Sequence, residues 1–151
     1  MPVKTSRKAF SLIEVLVFVS VVSLFFVSAA AVVAIILRNM KTDEHKILGT
    51  RYAEEAVEWL RSEKETDWNA FTARASNGIG TDYCIATLSW SSSPPCGNDL
   101  DNFYKRTLNL VSVSSADGFK YQVNAKIVVE WAEAGKIYTI PIDSVLSIWE
   151  Q

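Results

Sequence analysis

Arg7-Lys8-Ala9-Phe10-Ser11-Leu12-Ile13-Glu14-Val15, continued by apolar chain as far as Ile35-Ile36-Leu37, joins a short basic leader to a long hydrophobic run. From Phe10 onward that run holds one ionisable side chain, Glu14, and no glycine or proline. A membrane span needs roughly 20 apolar residues, each rising about 1.5 Å. The charge-free part, 15–37, would cover about 35 Å as a helix, enough to cross a hydrocarbon core with some tilt. The length predicts a transmembrane helix over 10–37 and not an ordinary core helix. Glu14 is the anomaly within it. A carboxylate in a span costs about 2.5 kcal/mol or more near the bilayer centre and less towards an end, so its presence implies a partner or a role. Nothing else within the run can pair with it.

The order Ala9-Phe10-Ser11-Leu12-Ile13-Glu14-Val15-Leu16-Val17 after a basic leader closely resembles the class III signal of type IV pilins and type II secretion pseudopilins. The resemblance implies that a prepilin peptidase cuts between Ala9 and Phe10, that the new amine of Phe10 is methylated, and that Glu14, then the fifth residue, serves filament assembly. Two positions depart from the family. Ala9 stands where glycine is usual, so slower cleavage is expected. Ala31 stands where many major pilins carry a helix-loosening proline, which predicts an unbroken span.

The physics of Glu14 can be stated independently. In the first turns of a helix a negative charge suits the positive end of the macrodipole. In a packed bundle of such helices the carboxylate would be buried, and the free amine of a neighbour's Phe10 is the cation available to offset it. An unpaired buried charge costs several kcal/mol. One acid and one amine per subunit, offset along the axis, favour staggered head-to-tail packing. Two plainer readings compete. A simple signal anchor explains the basic flank and the apolar run but not the placement of Glu14. A secretory signal peptide cut after Ala29-Ala30-Ala31 requires an apolar run of roughly 7 to 15 residues, and this one is longer and continues past that site from Val32 to Leu37.

A chain of 151 residues allows one anchored domain. The expected division is a cytoplasmic leader at 1–9, the span and assembly segment at 10–37, and an extracytoplasmic domain at 38–151. Lys4, Arg7 and Lys8, with no acid in the leader, place the N-terminus in the cytoplasm by the positive-inside rule. The formal charge is -2, and losing those three leader cations would make it -5, which is no nucleic-acid footprint.

Beyond the span, 38–65 contains no proline and one glycine, Gly49. Ile47, Leu48, Tyr52, Ala56, Trp59 and Leu60 recur at three- and four-residue spacing, the pattern of an amphipathic helix. With no linker between, the span is expected to run on into one long helix. On its polar side, Arg51 with Glu55 and Glu58 with Arg61 stand at contact spacing, each pair worth a few tenths of a kcal/mol. The only histidine, His45, has no second ligand at a metal spacing and reads as a solvated helix residue.

Asp67-Trp68-Asn69 and Asn77-Gly78-Ile79-Gly80 mark the exit into irregular chain, and Ser91-Ser92-Ser93-Pro94-Pro95 is a loop by composition. Cys84 and Cys96 bracket that loop. In an oxidising compartment they are expected to form a disulfide worth roughly 3 kcal/mol. Asn98, Asp99, Asp101 and Asn102 crowd one loop, and some major pseudopilins bind calcium in a loop. Calcium takes six or more oxygens and this spacing is no EF-hand, so a solvated acidic turn is expected and no metal is assigned.

Phe119, Tyr121, Val123, Ala125, Ile127, Val129 and Trp131 alternate with mostly polar residues, the period of a sheet with one buried face. Strands are expected at 83–90, 104–113, 119–131 and 136–142 in an antiparallel meander, with Pro141 on an edge or at a strand end. The expected fold is α+β, a long N-terminal helix packed on a small antiparallel sheet, which is the pilin-like layout that the resemblance implies. The late strand, hairpin and strand ending in Trp149 look similar to minor pilins and minor pseudopilins.

The expected function is a structural, non-enzymatic subunit of a type IV pilus or type II secretion-like filament, without cofactor. Its expected partners are a prepilin peptidase, other pilins or pseudopilins, and an inner-membrane assembly machinery. It would wait in the plasma membrane as a single-pass protein before entering an extracellular or periplasmic filament. A binding module displayed on a pilus, for DNA, surfaces or secreted cargo, calls for an exposed basic or aromatic patch, and Lys105-Arg106 is a small one. A tethered enzyme calls for a nucleophile with a base, or a ligand cluster, which the sequence does not offer.

Overall fold

The computed structural model describes residues 11–90, 94–98 and 100–148. In chain order these form α1 (Leu12–Thr66), α2 (Trp68–Ala73), β1 (Thr81–Cys84), β2 (Lys105–Ser114), β3 (Lys120–Glu133) and β4 (Lys136–Ser147). The chain divides into two compact units, Met1–Thr42 and Asp43–Gln151. The first unit contributes the apolar part of α1. Its large side chains, Leu16, Phe18, Phe25 and Phe26 among them, are exposed, and the helix is long and apolar enough to cross a membrane. α1 itself contains no proline and only one glycine, Gly49, and it runs its 55 residues as a single element. Ser20, Ser23 and Ser28 return their hydroxyls to the carbonyls of Leu16, Val19 and Leu24 at 2.7–2.8 Å, so their side-chain donors are satisfied within the helix.

The second unit is an α+β layer pair, residues 43–66 of α1 lying on a four-stranded sheet of order β1-β2-β3-β4, antiparallel throughout. The residues of α1 that are buried are Gly49, Ala53, Ala56, Val57 and Leu60. This stripe is rotated from the expected one. Ile47 is exposed, while Leu48, Tyr52 and Trp59 flank the core. Small residues take the centre because the helix sits close to the sheet. A Cβ added to Gly49 would lie 3.0 Å from Ile140 Cδ1 and 3.1 Å from Trp131 Cζ3. Gly49→Ala gains helix propensity at the expense of this contact. Gly49→Val adds a branched side chain where there is no room, and should lower stability by about 1–3 kcal/mol, read from the denaturation midpoint of the full chain in detergent. An unchanged midpoint would mean that the helix does not need this approach.

Alternation on β3 places Val123, Ala125, Ile127, Val129 and Trp131 in the core. Phe119, expected on the same face, precedes the strand and is exposed. β4 is an edge strand, as Pro141 requires, but it does not stop there. Pro141 pairs with Val128 and the ladder continues to Ser147, five residues beyond the expected end at 142. A proline can sit inside such a ladder where its nitrogen faces away from the partner strand. The β3–β4 connection is the two-residue turn Ala134-Gly135, both at positive φ, the geometry whose twist suits a hairpin. β1 is Thr81–Cys84, starting two residues before the expected 83–90 and sharing only Tyr83 and Cys84 with it. After it the chain bends at Ile85, where Leu88 N donates back to Ile85 O at 3.2 Å. The short helix α2 was hidden in the stretch expected to be irregular. Asp67 caps it, its carboxylate accepting from Ala70 N at 3.0 Å.

Candidate functional site

Ala9 and Phe10, the expected cleavage pair and methylation position, lie outside the described residues, as do Asp99 and Trp149. Glu14 is described, in the first turn of α1 with its side chain exposed. Its backbone N–H donates to Ser11 O at 3.0 Å, and that of Val15 reaches the same carbonyl at 3.2 Å. Ser11 thus stands at the entrance of the helix, three residues before Glu14, the spacing of a capping box. Glu14 has the place in which a carboxylate is favoured by the helix dipole. The side chains around it, Leu12, Ile13, Val15 and Leu16, are exposed and apolar. Between Leu12 and Leu37 the helix therefore presents one charged side chain on an otherwise uncharged, mainly apolar surface.

Cys84 and Cys96 form the expected disulfide. It ties the end of β1 to the loop after Pro94-Pro95. Inside that tie, Ile85 is fully buried, and Trp90 packs against Trp59, Tyr83 and Phe71, with the Arg74 guanidinium 4.6 Å from its ring centre. Trp90 Nε1 donates to Glu63 at 2.6 Å. The loop is held to α1 as well as to the sheet.

Arg106 is the residue whose position the sequence reading missed. Grouped with Lys105 as a basic surface pair, it is 2% exposed. The period of β2 explains this, because Arg106, Leu108, Leu110 and Ser112 share the inward face. Its Nε donates to Ile85 O at 3.0 Å, one terminal nitrogen to Tyr52 O at 2.7 Å and to Glu55 at 2.8 Å, and the other to Ala86 O at 3.0 Å. One guanidinium thus joins α1, β2 and the bend after β1. Glu55, expected to pair with Arg51 along the helix, reaches across to Arg106, while Glu58 and Arg61 pair as expected at 2.6 Å. Lys105 faces outward and pairs with Glu130 at 2.9 Å.

His45 is likewise not a solvated residue. It is half-buried, its Nδ1 lies 2.8 Å from the Tyr104 hydroxyl, and its ring lies over Phe103 with centres 4.7 Å apart. In the acidic loop, Asp101 accepts a hydrogen bond from the Tyr52 hydroxyl. That bond, with burial, pushes the Tyr52 phenol up to about 12. Burial, with the carboxylates of Asp101, Glu44 and Glu133 nearby, also raises Tyr104. Asp101 therefore serves to fasten its loop to α1. No group of three or more His, Cys, Asp or Glu side chains able to hold a metal occurs among the described residues.

What the second unit displays is a braced layer pair, and what residues 12–37 display is an exposed, mainly apolar helix with a single acid. Compared with protein-family models, curated proteins and solved structures, the chain matches none.

Proposed function

We propose that the chain is a structural, non-enzymatic subunit of a type IV pilus or type II secretion-like filament. The observation that carries this reading is Glu14, the one acid of the apolar run, placed in the first turn of a continuous helix and four residues after Phe10. The α+β layout of the second unit agrees with it. On this reading a prepilin peptidase removes 1–9 on the cytoplasmic side, where Lys4, Arg7 and Lys8 hold the leader, and methylates Phe10. The subunit waits in the plasma membrane until an inner-membrane assembly machinery draws it into a filament with other pilins or pseudopilins. The apolar helix would then lie buried among its neighbours, and the α+β unit would meet the medium outside the cell or in the periplasm. Each Glu14 would accept a neighbour's Phe10 amine once membrane and water no longer surround it.

The test is Glu14→Gln beside Glu14→Ala. Both variants should insert in the membrane like the parent, since both make the helix more apolar. Incorporation into filaments should fall by at least about tenfold in both, because an amine left without its acid in a packed bundle costs several kcal/mol. Incorporation equal to the parent in the two variants would remove the charge-pair role. A plain membrane-anchored protein predicts no filament incorporation for any of the three.

A further inference from the structure

Asn77-Gly78 is the only Asn-Gly pair in the sequence, and it lies in the exposed turn between α2 and β1. Three features of that turn bear on one reaction. Gly78 has φ +78°, with open space where a side chain would be, so no Cβ shields its backbone nitrogen. Its N–H donates to no acceptor among the described residues. The Asn77 side-chain carbonyl is held in place, since Oδ1 accepts from the Ser112 hydroxyl at 2.6 Å, and Ser112 is 5% exposed. A hydroxyl donating to that oxygen also stands where negative charge would gather if a nucleophile added to the carbonyl carbon.

We propose that Asn77 is a site of spontaneous covalent modification, passing through a cyclic imide with Gly78 to aspartate and isoaspartate, with Ser112 promoting ring closure. The Gly78 nitrogen, giving up its proton to water or hydroxide, bonds to Asn77 Cγ. Charge collects on Oδ1 under the Ser112 hydroxyl. The ring is thereby closed; the carbonyl then re-forms as the Cγ–Nδ2 bond breaks, and the amide nitrogen takes a proton from water and leaves as ammonia, giving the imide. Water opens the ring on either side. Cleavage of the new Cγ–N bond gives aspartate, and cleavage of the original main-chain bond gives isoaspartate, which adds one methylene to the backbone. No oxidant or reductant takes part.

The consequence is local and specific. Ser76, the preceding residue, bridges to Val111, and its carbonyl accepts from Ser112 N at 2.9 Å. Aspartate at position 77 can keep the Ser112 bond and adds a negative charge. The isoaspartate route lengthens the chain next to Ser76 and should loosen its hold on β2.

Ammonia loss at Asn77 would be followed by peptide mass mapping, with the isomers separated chromatographically, after incubating the full chain in detergent at mildly alkaline pH. The folded parent should convert about tenfold or more faster than folded Ser112→Ala, a smaller factor than the roughly hundredfold that loss of one oxyanion donor costs in an enzyme site. Ser112→Thr, which keeps the hydroxyl, should convert nearly as fast as the parent. In denaturant all three should react at one rate, which separates promotion by the fold from any effect of composition. Asn77 remaining intact in the folded parent while the denatured chain converts would overturn the site. Equal folded rates for parent and Ser112→Ala, or a faster Ser112→Ala, would overturn the role of Ser112.

Discussion

Arg106→Met should lower the stability of the second unit by about 3 kcal/mol or more, a large loss for one substitution. The guanidinium supplies bonds to Tyr52 O, Ile85 O and Ala86 O and faces Glu55. A methionine fills most of the volume but leaves three carbonyls without that donor, each at about 1–3 kcal/mol if water does not reach it. Arg106→Lys should recover little, because one ammonium cannot span three carbonyls on separate segments. Glu55→Gln should cost less, about 1 kcal/mol, since the Glu55 side chain is 53% exposed and its loss leaves the carbonyl bonds in place. The ordering is read from denaturant midpoints of the full chain in detergent. A Glu55→Gln loss as large as that of Arg106→Met would mean that the ion pair, and not the carbonyl bracket, holds the segments together.

Removing the disulfide with Cys84→Ala and Cys96→Ala should lower stability by about 3 kcal/mol, from the entropy that the unfolded chain regains when a loop of sequence separation 12 is opened. The folded state should survive the change. Ile85 and Trp90 are packed inside the loop, and Arg106 holds the two carbonyls that follow Cys84. The oxidised parent and the double variant should therefore share their native-state spectrum and differ in denaturant midpoint, with the parent treated with reductant matching the variant. A native spectrum lost in the variant would make the disulfide a condition of folding and not an increment to it. The two predictions are coupled because Arg106 and Cys84 act on the same bend. Combining the substitutions should cost more or less than their sum by a measurable amount.

Features that depend on local periodicity were legible in the sequence. The apolar run, its continuation into one helix, the alternation from Val123 to Trp131 and the meander order all follow from side-chain spacing, and the Cys84–Cys96 pair from compartment logic. What escaped depends on partners distant in the chain. Arg106 was read by its charge, although its parity with Leu108 and Leu110 already assigned it to the inner face. His45 was read by its neighbours on the helix, and its partner Tyr104 lies 59 residues away. Gly49 was a lone glycine until Trp131 and Ile140 filled the space beside it. The buried stripe of α1 shifted for the same reason, since the closeness of helix and sheet selects Gly49, Ala53 and Ala56 over larger neighbours. The six residues of α2 are too few for a helical period to emerge, and only its cap, Asp67, was a readable signal. Glu14 belongs to both groups. Its place in the first helical turn follows from the sequence, while the amine proposed to meet its charge belongs to another molecule.

The mature N-terminus tests the proposed filament subunit most directly. Chain produced with and without a prepilin peptidase would be analysed by mass spectrometry of its N-terminal peptide. The expected result is a methylated Phe10 start when the peptidase is present and a retained leader when it is absent. A leader retained in both cases, or a start at Val32, would contradict it.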